Sequence, residues 1–182
     1  MKILYKTSLL AAFFLLAVNF AFAQTERADG LKFYEQGEYE KAAVELQKAV
    51  DADENDREAW FYLGISFARL KKGKKAFKAF SEGDGIKPRE PAEKDKNLKI
   101  ISKPRPRYTD AARRENVTGT IALAVEFGAD GTIKFVFPIR GLPFGLTENS
   151  VNAARQIKFE PAVRDGKTIS QIGLVGYSFA IY

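Results

Sequence analysis

The chain has 182 residues, 46% of them hydrophobic, with 29 Lys and Arg against 23 Asp and Glu and neither Cys nor His. Those absences exclude a disulfide framework, thiolate or imidazole metal sites, cysteine nucleophiles and Ser-His-Asp triads. The length suits one domain or two small ones. Taken in chain order, Lys2 and Lys6 precede an uncharged run from Thr7 to Ala23 that closes on the small-x-small triplet Ala21, Phe22, Ala23. This predicts an export signal over residues 1–23, cleaved before Gln24; the run also lies near the lower limit for spanning a bilayer, so an uncleaved anchor is the alternative. Export makes nucleic acid an unexpected partner despite the formal charge of +6.

Residues 24–87 contain a repeat with a period of 34: Gly30 aligns with Gly64, Phe33 with Phe67, Ala42 with Ala76 and Leu46 with Phe80. The small residues let paired helices approach, and the large ones fill the space between them. Helices are predicted near Glu26–Gln36, Glu38–Ala52, Asp56–Lys71 and Lys74–Gly83, with turns at Gly37, Asp53–Asn55 and Gly73. The second copy carries Trp60, Leu63, Gly64, Phe67, Ala76, Phe80 and Pro88 and resembles the tetratricopeptide (TPR) pattern. The first copy has Glu26 and Asp29 in place of the Trp and Leu, so its opening helix is expected to be short or frayed. Phe61, Ile65 and Arg69 share one side of the third helix and are candidates to line a peptide groove. Residues 24–56 carry 4 basic and 10 acidic groups and residues 57–87 carry 8 and 3, a polarity that suits head-to-tail pairing in a homodimer.

Residues 88–107 are rich in Pro, Lys, Arg and Glu and read as a charged, extended linker. From Tyr108 the pattern changes. Thr109–Glu115 predicts a short helix. Alternating Ile121, Leu123, Val125 and Phe127 predict a strand, which turns at Gly128–Gly131 into a second strand through Ile133, Phe135 and Phe137. Thr147 is the expected N-cap of a helix running to about Gln156, with Val151, Ala154 and Ile157 inward. An Asp165-Gly166 turn precedes a last strand through Val175, Tyr177, Phe179 and Ile181. The expected fold class is α+β: N-terminal helical hairpins, then a domain over residues 108–182 with a three-stranded antiparallel sheet and two helices.

Pro106 and Tyr108 before an Ala-Arg helix, Val117 and Gly119 opening a strand, Asp130-Gly131 in the hairpin, and Phe159-Glu160-Pro161 after the second helix resemble the C-terminal domain of the TonB family of energy transducers. Thr109 stands where that family usually has Pro. The resemblance implies a periplasmic protein whose last strand pairs with the TonB box, a short segment of outer-membrane receptors, while residues before the first helix also touch the receptor. Arg105 and Arg107 are the candidates there, with Val175, Tyr177, Ser178, Phe179, Ala180 and Ile181 along the strand. The residues allow the same chemistry by themselves, because a terminal edge strand without charge or Pro offers N–H and C=O groups to an extended peptide. Pairing of that strand within the molecule or in a dimer is the competing reading. The chain lacks a long Pro-rich spacer and an N-terminal His, so it is read as a periplasmic adaptor that binds proteins, with an inner-membrane-anchored transducer and a self-assembling envelope scaffold as alternatives.

Other signals read as structural. Asp51, Asp53 and Asn55 imitate half a calcium loop, but its sixth position is Asp56 and its twelfth Tyr62, so a repeat-connecting turn is expected. The lysines at 71, 72, 74, 75 and 78 suit a solvated helix end, or contact with anionic lipid or an acidic partner. No nucleophile elbow or phosphate loop is present, and nothing in the pattern marks Glu126 and Glu160 as an acid-base pair, so neither an enzyme nor a cofactor or metal site is expected.

Overall fold

The computed structural model describes residues 24–87 and 95–181. It divides into two compact units, 1–88 and 89–182. The expected export signal lies outside the described residues.

In the first unit, helix α1 covers residues 24–35, followed by α2 (Tyr39–Ala52), α3 (Arg57–Arg69) and α4 (Gly73–Asp84). Leu46, Phe61, Leu63, Ile65 and Phe80 are buried at its centre. The two copies use the same devices. A Cβ on Gly30 would lie 2.6 Å from the Leu46 side chain, and one on Gly64 would lie 2.7 Å from the Phe80 ring, so each glycine marks a close helix crossing. Phe33 and Phe67 depart from expectation: both are half-buried, with Lys41 and Lys75 respectively over their rings.

Each copy also closes its first helix in the same way. Gly37 N donates to Tyr34 O and Glu38 N to Phe33 O; one period on, Lys71 N donates to Ala68 O and Lys72 N to Phe67 O. This pattern requires a left-handed residue, which is Gly37 (φ 77°) in one copy and Lys71 (φ 58°) in the other. The second turn therefore falls at Lys71, and Gly73, expected there, is the first residue of α4. The first helix is not shortened. Its Arg27 guanidinium holds both oxygens of the Asp56 carboxylate at 3.2 and 3.1 Å, and that carboxylate also caps α3 by accepting from Ala59 N. The calcium-like run thus has structural work, as Asp53 also accepts from Asn55 N.

The second unit begins within the segment expected to be linker. Lys96 exchanges two backbone hydrogen bonds with Val163, Asp95 takes the Arg164 guanidinium at 3.6 Å, and Lys99–Ser102 form strand β1. Then come α5 (Asp110–Arg114), β2 (Gly119–Phe127), β3 (Ile133–Arg140), α6 (Leu146–Ala154), β4 (Lys158–Glu160), β5 (Ala162–Arg164), β6 (Lys167–Ile169) and β7 (Gln171–Phe179). The main sheet is antiparallel with order β3-β2-β7; β1 pairs with β4, and β5 with β6 around the left-handed Asp165-Gly166 turn. Ile121, Leu123, Val125, Phe127, Val175, Tyr177 and Phe179 share a core with Ala112, Leu146, Ala154, Ile157 and Phe159.

Thr109 caps α5 by accepting from Ala112 N. Thr147 does not cap α6. That position belongs to Gly145 at φ 78°, and the Thr147 hydroxyl instead bonds both the N–H and the C=O of Leu142, closing the preceding loop. In the hairpin, Gly131 takes φ 80° as expected, and Lys134 and Thr132 hold the Asp130 carboxyl down at about 2.

Candidate peptide-docking edge

Strand β2 is the centre of the sheet, so β3 and β7 are its margins. The margins differ. The β2–β3 register is broken in two places and carries Pro138 opposite Leu123, whereas β2 and β7 pair without interruption from Gly119–Phe179 to Phe127–Gln171. A proline has no N–H to offer and a bulge interrupts the ladder, so β3 is a poor template for another strand. β7 contains no proline and, among the described residues, is paired on one side alone.

Alternation along β7 sorts the expected contact residues into two groups. Val175, Tyr177 and Phe179 are 4, 5 and 6% exposed and face the core. They fix the strand's position and do not present side chains to a partner. Gly176, Ser178 and Ala180 are exposed and leave a low margin; Ser178 Oγ lies 3.0 Å from Thr120 Oγ1 on β2. Ala180 and Ile181, expected to continue the strand, both lie beyond its end at Phe179, and Ile181 is 47% exposed.

Arg105 and Arg107 are exposed on the segment between β1 and α5. The Arg107 carbonyl accepts from Asn149 Nδ2 on α6. Tyr108 donates to Val117 O and sets its ring edge-on to Phe179 at 5.4 Å. The two arginines lie on the segment bracketed by Lys103 and Tyr108, whose side chains contact β7.

Lys103 is the contact that sequence reasoning missed. Its Nζ donates to Gly176 O at 3.0 Å and lies 5.1 Å from the Tyr177 ring centre. A side-chain bond to a main-chain carbonyl 73 positions away leaves no local periodicity by which to find it. Tyr177 Oη is buried and has no hydrogen-bond partner among the described residues, and burial pushes the phenol above its ordinary pKa. The buried hydroxyl therefore costs stability at neutral pH for want of a partner, and because burial disfavours the phenolate the unit loses further stability as pH rises from the phenol's ordinary value through its raised one. Tyr177→Phe should therefore stabilise the second unit by about 1 kcal/mol at neutral pH and blunt its alkaline destabilisation, as read by urea unfolding across pH.

The other expected surface is not assembled. Phe61 and Ile65 are 2 and 0% exposed, and Phe61 packs against Phe80 beneath the Arg57 guanidinium. They are core residues of the four-helix unit and do not line a groove; Arg69 extends over the Tyr39 ring at 5.6 Å.

An N-terminal helical-repeat unit followed by an α+β domain with one regular sheet margin is therefore the architecture. Residues 30–71 match the TPR repeat family, and residues 104–181 match the family described as Gram-negative bacterial TonB protein C-terminal. Among solved structures, the solution NMR structure of the Pseudomonas aeruginosa TonB C-terminal domain is similar at 22% identity over 49% of this chain and 91% of that chain, with a TM-score of 0.39. No curated protein matches. The chain carries a TonB-type C-terminal domain preceded by TPR repeats; both are protein-interaction modules, and the former is an envelope domain. Among the described residues no helix is long and apolar enough to cross a membrane.

Proposed function

We propose that this protein is an exported, non-enzymatic envelope adaptor that takes up an extended segment of a partner protein along the open margin of β7. An outer-membrane receptor of the kind that carries a TonB box is the favoured partner, and the TPR match supports a second protein contact on the repeat unit, away from the buried Phe61 and Ile65. The observation that carries this reading is the asymmetry of the sheet: β3 is bulged and holds Pro138, while β7 pairs without a break and has a smooth, proline-free outer side. Main-chain hydrogen bonds would supply affinity, and the ordering cost of a free peptide would keep it modest. The anchored alternative turns on residues 1–23, which lie outside the described residues.

Titration calorimetry of the chain from Gln24 onward against receptor-derived TonB-box peptides tests this. Binding in the micromolar to millimolar range is expected, with loss of binding in Ser178→Pro, which removes an N–H from β7. A Ser178→Pro protein that keeps its circular dichroism spectrum and still binds overturns the docking mode. Absence of binding to every peptide overturns the function.

A further inference from the structure

The segment between β1 and α5 runs beside the margin of β7. Lys103 touches Gly176 and Tyr177, and five residues later Tyr108 packs on Phe179, so the two stretches advance in the same direction. No backbone hydrogen bond joins them among the described residues. Pro104 and Pro106 have no N–H to donate, so only one side of this segment could contribute donors to a ladder. Lys103, Arg105 and Arg107 alternate with the two prolines, and all three are exposed. Three cations at every second residue of an extended chain are spaced roughly 6–7 Å apart, which is also the spacing of side chains on one face of a strand.

From this we propose that the edge is selective for acidic peptides, with the cationic strap reading carboxylates at alternate positions of the incoming strand and Lys103 acting as its gate. The proposal rests on the docking reading above. In the free protein the Lys103 ammonium occupies the Gly176 carbonyl, an acceptor that a pairing strand would use. A neutral strand must displace that cation with nothing to receive it. A strand with a carboxylate nearby offers the ammonium a charged acceptor in exchange for a neutral one, and charge-assisted bonds are the stronger kind. Arg105 and Arg107 extend the same preference along the strand, and the nearest acidic partner of Arg107 is Asp110 at 3.9 Å between highly exposed side chains, a weak hold that a bound carboxylate can replace. An acidic strand is thus admitted and a neutral one resisted.

The test uses the chain from Gln24 onward and two short peptides of one alternating sequence, one with Glu and the other with Gln at every second position. Wild type should bind the Glu peptide roughly tenfold more tightly, with the ratio shrinking as salt rises. Lys103→Met should reduce that ratio to about twofold and tighten the Gln peptide roughly three- to fivefold, the value of one net hydrogen bond regained at Gly176. Lys103→Arg should keep the wild-type ratio. Equal binding of both peptides to wild type, an unchanged ratio in Lys103→Met, or equal weakening of both peptides overturns the gate while leaving strand docking intact. Failure of both peptides to bind wild type, together with failure of the TonB-box peptides, overturns the docking reading itself.

Discussion

Phe80→Ala should destabilise the repeat unit by about 3–5 kcal/mol, the usual cost of emptying a fully buried aromatic site. Phe80 has no exposed surface, faces Phe61 across a 6.3 Å ring separation, and fills the crossing that Gly64 opens. A unit of four helices buries little surface, so this loss is a large part of its whole stability. Gly64→Ala approaches the same site from the other side. Its new Cβ would meet the Phe80 ring at 2.7 Å, and the buried ring has nowhere to move, so overpacking should cost about 1–3 kcal/mol. The two changes are not additive: Gly64→Ala placed in Phe80→Ala has no ring to strike and should cost little or recover stability. Trp60 is the chain's single tryptophan, lies on α3 and is half-buried, with its indole N–H on Glu54 O, so its fluorescence during urea titration reads this unit directly. Additive losses would mean that the glycine and the ring do not share the crossing.

The second unit should respond as sharply to Phe127→Ala, again by about 3–5 kcal/mol. Phe127 closes β2 at 2% exposure, meets Phe159 edge-on at 4.9 Å, and lies beneath Gly173 of β7, whose added Cβ would come within 3.2 Å of its ring. Phe159 belongs to β4, the strand that pairs with β1, so this ring links the main sheet to the strand leading into the cationic strap. Phe127→Leu keeps most of the volume and should cost less than about 1.5 kcal/mol. Amide exchange should show the difference: in Phe127→Ala, protection falls in both β7 and the β1–β4 pair, whereas a local cavity would affect β2 alone.

How much of this was readable in the residues follows from the range of the forces involved. The 34-residue repeat was legible because each copy must solve the same crossing, and Gly30 and Gly64 do so with the same clearance. The two longer strands were legible because their alternation persists: β2 and β7 each run for nine residues. Three-residue strands beside Pro161 are too short for a period to emerge, so β4, β5 and β6 were not separable from loop. Strand β1 was hidden by composition, since Lys and Pro around Ile100 and Ile101 read as linker until β4 supplied a partner. Thr147 has the chemistry of a cap, but Gly145 could take the left-handed turn, leaving the hydroxyl to close the loop at Leu142. Phe61 and Ile65 share a helical side, yet which side faces the core depends on neighbours that periodicity does not name.

The two-part order, the repeat, the alternation of β7 and the lack of Cys and His are written in the residues, because they are local patterns or plain counts. The tertiary structure alone decided that β7 lies at a margin, that the opposite margin is blocked by Pro138, and that Lys103 reaches Gly176. Those facts depend on contacts between residues far apart in the chain, and a contact of that kind exists only once hydrophobic burial has brought the strands together.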